Sequence, residues 1–395
     1  MIRVSIADRS RGLQGHIVLP ASKSISNRVL LLSHLCSNGP APIANVADCE
    51  DTAVMRRALA SKETIVDVRG AGTAMRFLTA YYAQCEGADV VLTGIERMKQ
   101  RPIAPLVEAL RDLGADITYM EVEGCPPLHI RGRKLCGEVI SVDGSISSQY
   151  VSALLMIAPL TGAKRLSLTG NIVSRPYIEM TRALMDRFDI HTTWADDHTL
   201  AIPTGSYRAV PLTVEGDWSA ASYWLAFKAI ARQQGIPFDV RIEGAVTPSL
   251  QGDSVCDKLL RETPHTYDFT DCPDLVQTMA VSYCLLGQPF VFTGTESLRI
   301  KETDRIAALI TELGKLGYEL NYEDGTLCWD KKCIQPEEEK TCVIDTYNDH
   351  RMAMSFALAA MTRGHILIDH PEVVSKSYPA FWDDLCQVGF NCEKL

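Results

Sequence analysis

Six stretches of the chain start from a small or polar head and continue at once as helices that are apolar on nearly every side: 24–35, 73–83, 147–158, 217–230, 274–286 and 349–361. A helix with no polar face has to be buried, while its polar head stays at the surface of the core as an N-cap. At 395 residues the chain is too long for one core and suits two domains. Six buried helices then present six N-termini, each with unpaired N–H groups and the positive end of a helix dipole.

A second kind of helix is amphipathic, and its copies align without gaps. Leu106, Leu110, Leu113 and Gly114 match Leu309, Leu313, Leu316 and Gly317, and match again Phe381, Leu385, Val388 and Gly389. Looser copies run through Met55 and Leu59 and through Met185 and Phe188. Short alternating strands follow, at 116–122 and 319–322, and β-rich pieces stand at 90–92, 166–168, 238–242 and 342–344. Helix plus strands, repeated at intervals of tens of residues, predict an α/β fold of repeated units rather than a short-period solenoid. Crossings at 19–21 and 211–216 predict one domain over 21–213 and a second, discontinuous one over 1–20 plus 214–395.

A hydrophobic fraction of 46% with 22% charged residues is that of a soluble globular protein, and the formal charge of −10 argues against nucleic acid or an acidic membrane as partner. Thirteen scattered cysteines, none in a Cys-x-x-Cys pair, point to reduced thiols in a cytoplasm. The longest apolar stretch, 151–160, is too short to span a bilayer, and the nine histidines form no grouping that would nest a metal. Any anionic ligand must be drawn by local cations.

Those cations gather at helix starts. Residues 298–305 hold Arg299, Lys301 and Arg305 with Glu302 and Asp304, immediately before an amphipathic helix. Lys23-Ser24-Ile25-Ser26-Asn27-Arg28 heads the first buried helix, where ammonium, hydroxyl, guanidinium and dipole suit a phosphate or carboxylate. Gly70-Ala71-Gly72-Thr73 allows close backbone approach at the second, and Ser145-Ile146-Ser147-Ser148-Gln149 offers neutral donors at the third. Arg97-Met98-Lys99-Gln100-Arg101 precedes an amphipathic helix; Arg351 heads the sixth buried helix, and Lys376 precedes the last helix. Asp274 stands at the head of the fifth, where the dipole favours its ionised form. His350, between Asp349 and Arg351, reads as a structural hydrogen-bonder. Converging, these groups would make a cationic pocket holding two carboxylates, suited to proton transfer between phosphorylated or carboxylated small molecules.

Eight motifs occur in the order known from the 5-enolpyruvylshikimate-3-phosphate synthases: Lys-Ser-x-Ser-x-Arg at 23–28, Gly-Thr-Ala-Met-Arg at 72–76, Arg-Met-Lys-x-Arg-Pro-Ile at 97–103, Ser-Ser-Gln at 147–149, Ser-x-Pro-Tyr-Ile at 174–178, Glu-Gly-Asp-x-Ser at 215–219, Lys-Glu-Thr-Asp-Arg at 301–305 and Tyr-Asn-Asp-His-Arg-Met-Ala at 347–353. The chain resembles that family over nearly its whole length. The resemblance implies a two-domain inverse α/β barrel, each domain of about three βαβαββ units, with buried-helix N-termini facing an interdomain cleft. It implies transfer of the enolpyruvyl group of phosphoenolpyruvate to the 5-hydroxyl of shikimate 3-phosphate, by a monomer, with no metal or organic cofactor.

Carried over by motif, the resemblance gives catalytic roles to Asp274 as base and to Glu302 and Lys23 at the methylene carbon. Shikimate 3-phosphate falls to Lys23, Ser24, Arg28, Ser147, Ser148, Gln149, Ser174, Tyr177, Asp274 and Lys301, and phosphoenolpyruvate to Lys23, Gly72, Arg101, Gln149, Arg305, Arg351 and Lys376. Departures from the family pattern are Gly70, Ala71, Phe77, Ser297 and a short connection over 60–69 that lacks a strand pair. The sister transferase acting on UDP-N-acetylglucosamine lacks the Ser-Ser-Gln cradle, and a catalytically silent binding protein on the same scaffold would not need Asp274, Glu302 and Lys23.

Overall fold

A computed structural model describes residues 1–334 and 342–395. The chain divides into two compact units, one of residues 1–20 and 215–395 and the other of 21–214. Among the described residues no helix is long and apolar enough to cross a membrane.

In the unit of residues 21–214 the buried helices are Lys23–His34, Gly72–Gln84 and Ser148–Thr161. Val151 to Ala158 contribute no exposed surface at all, so this helix has no solvent face. In the other unit they are Trp218–Gln234, Val276–Leu285 and His350–Ala357, the fifth entered through a short 3₁₀ turn, Pro273–Leu275. Four of the six are capped by the side chain that precedes them. Ser22, Ser147, Asp217 and Asp349 accept from the backbone N–H groups of Ile25, Gln149, Ala220 and Arg351. The first cap is therefore Ser22; the head expected at Ser24 lies one residue inside the helix, and Lys23 occupies its first position.

The amphipathic helices fall where the repeat places them, at Ala104–Asp112, Arg305–Lys315 and Phe381–Val388. Their matched leucines, phenylalanine and valine are all buried. The matched glycines, Gly114, Gly317 and Gly389, sit at φ 95°, 87° and 115°, a left-handed conformation that stops each helix and that glycine adopts without strain.

Strand pairing makes the repeat explicit. Four sheets share one pattern, a parallel pair extended by an antiparallel pair: Ile65–Asp67, Asp89–Thr93, Leu128–Arg131, Asp116–Tyr119; then Val139–Asp143, Arg165–Thr169, Thr199–Ala201, Thr193–Trp194; Thr266–Asp268, Phe290–Thr293, Thr326–Trp329, Asn321–Glu323; and Val343–Ile344, His365–Ile368, Ile2–Ile6, Phe390–Lys394. Among the described residues the other two sheets keep only the parallel pair, Ile43–Ala44 with Leu212–Thr213 and Leu13–Val18 with Phe238–Glu243. Each unit thus holds two full repeats and one trimmed one. The trimming expected at 60–69 is present, since helix Glu50–Ala60 runs almost directly into strand Ile65–Asp67. It has a counterpart the sequence did not disclose: helix Cys256–Glu262 passes as directly into Thr266–Asp268.

The core of the unit containing the C-terminus is aromatic around Phe381, fully buried, with ring centroids 5.9 Å from Tyr223, 6.5 Å from Trp224 and 5.5 Å from Tyr378. Trp224 in turn donates its indole N–H to the Tyr378 hydroxyl at 3.2 Å. Phe381→Ala is expected to cost about 3–5 kcal/mol of stability, the usual range for emptying a buried aromatic site. Urea unfolding checks it, and a midpoint equal to that of the parent would show that the cluster does not hold the unit together.

Candidate active site

The carboxylate of Asp274 stands at the turn entering its buried helix, and three cations reach it. Arg305 donates from Nη1 to Oδ1 at 2.9 Å, Arg351 from Nη2 to Oδ2 at 3.0 Å, and Lys301 Nζ lies 3.9 Å from Oδ1. Burial by itself would push this carboxyl up, but Arg351, Lys301 and Arg305 outweigh it and hold the group well below the usual carboxylate range. Arg305 is nearly wholly buried and is shared further, with Nη2 on Glu302 Oε2 at 2.9 Å and Nε on Asp349 Oδ2 at 2.7 Å. Burial opposes its charge, yet Asp349, Glu302 and Asp274 fix the guanidinium as a permanent cation. These contacts follow from the local sequence. Asp304 caps helix Arg305–Lys315 through Ala307 N–H at 3.1 Å, so Arg305 is its first residue and Glu302 lies one turn before it.

Lys301, Arg305 and Arg351 face Asp274, Glu302 and Asp349, three charges against three. Lys376 adds a cation whose Nζ donates to the Asn348 carbonyl at 2.6 Å. His350 is buried, with Nδ1 3.9 Å from Asp349 Oδ1.

The second constellation lies within residues 21–214. Lys23 Nζ reaches Asp51 Oδ2 at 3.0 Å, at the starts of two adjacent helices. Arg28 is buried, its guanidinium over the rings of Phe77 (5.3 Å) and Tyr177 (5.8 Å). It donates to Thr181 Oγ1 at 2.7 Å, to the Ser24 carbonyl and Ser152 Oγ at 3.0 Å, and to the Tyr177 carbonyl at 3.4 Å. Desolvation pulls this guanidinium down to about 10. Ser24, Arg28 and Tyr177 are thereby brought together, as the sequence reading asks.

At Gly72 the close approach is made by Arg101: a β-carbon there would stand 2.6 Å from Nη1 and 3.1 Å from Nη2. Arg76, buried, donates to the Gly72 and Pro102 carbonyls at 3.3 and 3.1 Å, and Tyr150 hydroxyl also donates to Pro102, so the segment carrying Arg101 is anchored on both sides. Gln149 donates to Thr73 Oγ1 at 3.2 Å, joining the Ser147-Ser148-Gln149 helix start to the glycine turn. Ser174 stands at the N-cap position of helix Arg175–Arg187 in a left-handed conformation, φ 54°, and makes no side-chain cap bond.

Two residues of these clusters escaped the sequence reading, Asp51 and Asp253, while Ser219 was read only within its motif and Asp349 only as a cap. Ser219, last residue of the Glu-Gly-Asp-x-Ser motif, donates its hydroxyl to the buried Asp253 and lies 3.4 Å from Arg351 Nη2. Asp253 is pushed up to about 6, first by burial and then by Asp274, with Arg351 and Ser219 opposing. No local pattern flags it, because its neighbours come from helices far away in sequence.

Asp253 keeps its proton in the folded state up to pH about 6 and in the unfolded chain only to about 4. Its contribution to stability is therefore present at low pH and lost as pH rises through about 6. Asp253→Asn retains an acceptor for Ser219 without the charge, so its stability advantage over the parent should be smallest near pH 4 and grow to roughly 1–3 kcal/mol by pH 7. Paired melting curves across that range measure it; a difference that does not change with pH would contradict the assignment.

Comparison with known proteins places this geometry. A family model for EPSP synthase (3-phosphoshikimate 1-carboxyvinyltransferase) matches residues 7–61 and 56–385. Proteins of that name from Bacteroides fragilis and Vibrio atlanticus are 48% and 37% identical, over 96% and 94% of this chain and 96% of each relative. An EPSP synthase structure from Acinetobacter baumannii superposes with a TM-score of 0.77 at 20% identity, over 100% of both chains. The enolpyruvyl transferase NikO from Streptomyces tendae gives 0.69 at 15%, over 99% of this chain and 98% of its own. The fold is thus the two-domain inverse α/β barrel, and a chain that keeps all eight motifs on it, matched from residue 7 to residue 385, belongs to the EPSP synthase family.

Proposed function

We propose that the chain transfers the carboxyvinyl group of phosphoenolpyruvate to the 5-hydroxyl of shikimate 3-phosphate and releases inorganic phosphate, a step of the shikimate pathway towards the aromatic amino acids. What carries the reading is Asp274 gripped by Arg305 and Arg351 in a chain 48% identical to a 3-phosphoshikimate 1-carboxyvinyltransferase. The 5-oxygen forms a bond to the enol carbon while its proton passes to Asp274. The methylene carbon gains a proton, then loses one as the C–O bond to phosphate breaks, and Glu302 and Lys23 are the groups assigned to that proton. Ser147, Ser148, Ser174 and Lys301 take the shikimate phosphate; Ser24, Arg28, Gln149 and Tyr177 take the ring and its hydroxyls. To phosphoenolpyruvate are assigned Lys23, Gly72, Arg101, Gln149, Arg305, Arg351 and Lys376, the guanidiniums suited to fork onto a carboxylate or phosphate.

Electrostatics set the order of events. In the free enzyme Asp274 is a poor base, because Arg351, Lys301 and Arg305 stabilise its charge. Anionic substrates that draw on the same cations weaken that grip and raise the basicity of Asp274 as they arrive. The thirteen free cysteines fit a reducing cytoplasm.

The direct test is phosphate release by the purified protein given both substrates, with each omitted in turn. Release that needs both is expected. Release with either one alone would mark a phosphatase instead, and no release with both would leave a binding protein. Asp274→Ala should lower kcat by roughly 10²-fold or more, the scale of a lost general base; turnover near that of the parent would remove Asp274 from the mechanism.

A further inference from the structure

Two successive non-glycine residues, Tyr347 and Asn348, are left-handed, at φ 50° and 56°. Such a pair is strained and persists only where its surroundings hold it. Glu312, whose side chain is fully buried on helix Arg305–Lys315, holds this one. Its Oε1 accepts from the Tyr347 hydroxyl at 2.7 Å, while Oε2 accepts from the Asp345 backbone N–H at 3.1 Å and faces Lys315 Nζ at 2.7 Å. Asp345 Oδ1 accepts in turn from Tyr347 N–H at 2.7 Å. Burial, then Glu312, raises the Tyr347 phenol well above its ordinary range, so it stays protonated and remains a donor.

What this turn carries is the cationic side of the site. The Asn348 carbonyl accepts from Lys376 Nζ at 2.6 Å, Asp349 Oδ2 from Arg305 Nε at 2.7 Å, and Asp349 Oδ1 from the backbone N–H of Arg351 at 2.9 Å. Arg305 and Glu312 lie on one helix, two turns apart, so that helix grips the strained segment at both ends: Arg305 on Asp349, Glu312 on Tyr347. We propose that Glu312 and Tyr347 are positioning residues for phosphoenolpyruvate, fixing through the 347–348 turn the places of Lys376 and Arg351. They touch no reacting atom. The proposal rests on the reading of those cations as the phosphoenolpyruvate site.

Tyr347→Phe removes one hydroxyl and keeps the ring, and it leaves Glu312 with its backbone and lysine partners. Steady-state kinetics of the full chain, varying each substrate, should show the KM for phosphoenolpyruvate raised roughly 5- to 10-fold, the scale of one ordinary hydrogen bond. The KM for shikimate 3-phosphate and the melting temperature should stay near those of the parent. Glu312→Gln, which retains an acceptor for the hydroxyl, should show less of the effect than Glu312→Ala, and adding Tyr347→Phe to Glu312→Ala should add little. Equal changes in both KM values, or a lower melting temperature with unchanged kinetics, would overturn the positioning role and leave a purely structural contact. Should Glu312→Ala fail to fold, Tyr347→Phe decides alone. Lys376→Met separates the two readings. If it leaves the phosphoenolpyruvate KM unchanged, the assignment of the cations fails; if it raises that KM and Tyr347→Phe does not, only the positioning proposal falls.

Discussion

One guanidinium organises the chemistry of this protein. Arg305 is buried and divides its three nitrogens among Asp349, Asp274 and Glu302, at 2.7, 2.9 and 2.9 Å. A buried cation with that many anionic partners is fixed in both place and protonation state, and removing any one partner would strand the others. Each partner belongs to a different piece of the fold: Asp349 caps one buried helix, Asp274 stands in the turn opening another, and Glu302 precedes the helix that Arg305 begins. The ion cluster therefore ties three helix starts together. A net charge of −10 is compatible with an anion site for the same reason, since what counts is the local balance at those starts.

Much of this was legible because it is local. All-apolar runs gave the six buried helices, and a leucine, leucine, leucine-glycine spacing gave the amphipathic ones with their left-handed stops, as at Leu106 to Gly114. The motif cations were legible by residue type, and Arg305 and Arg351 do meet at Asp274. What escaped is set by tertiary neighbours. Asp253 looks like any surface aspartate in the sequence, but folding buries it beside Ser219 and Asp274 and moves its proton affinity. Asp349 read as a cap, which it is, while its second oxygen holds Arg305. A carboxylate already bonded to a backbone N–H has a lone pair to spare, and sequence does not say where that lone pair points.

Glycine shows the same divide. Gly72 was read as a place where a ligand approaches the backbone, and the residue that approaches is Arg101. With no β-carbon in the way, the Arg101 guanidinium packs against the start of a buried helix. The glycine makes room for the cation.

The trimmed repeats make the last physical point. In four repeats the second helix is followed by an antiparallel strand pair that widens the sheet; in the two trimmed repeats it is not, at 61–64 and 263–265. What those two retain is the parallel pair, and its strands come from distant parts of the chain, Leu212 beside Ile43 and Phe238 beside Leu13. Those pairs are also where the chain passes from one unit to the other, so their backbone hydrogen bonds fix the entry of helices Lys23–His34 and Trp218–Gln234. The antiparallel strands carry none of the site residues, whereas the helix starts carry most of them. The helix starts of the two trimmed repeats keep their polar contacts, Lys23 on Asp51 and Asp217 on the Ala220 N–H.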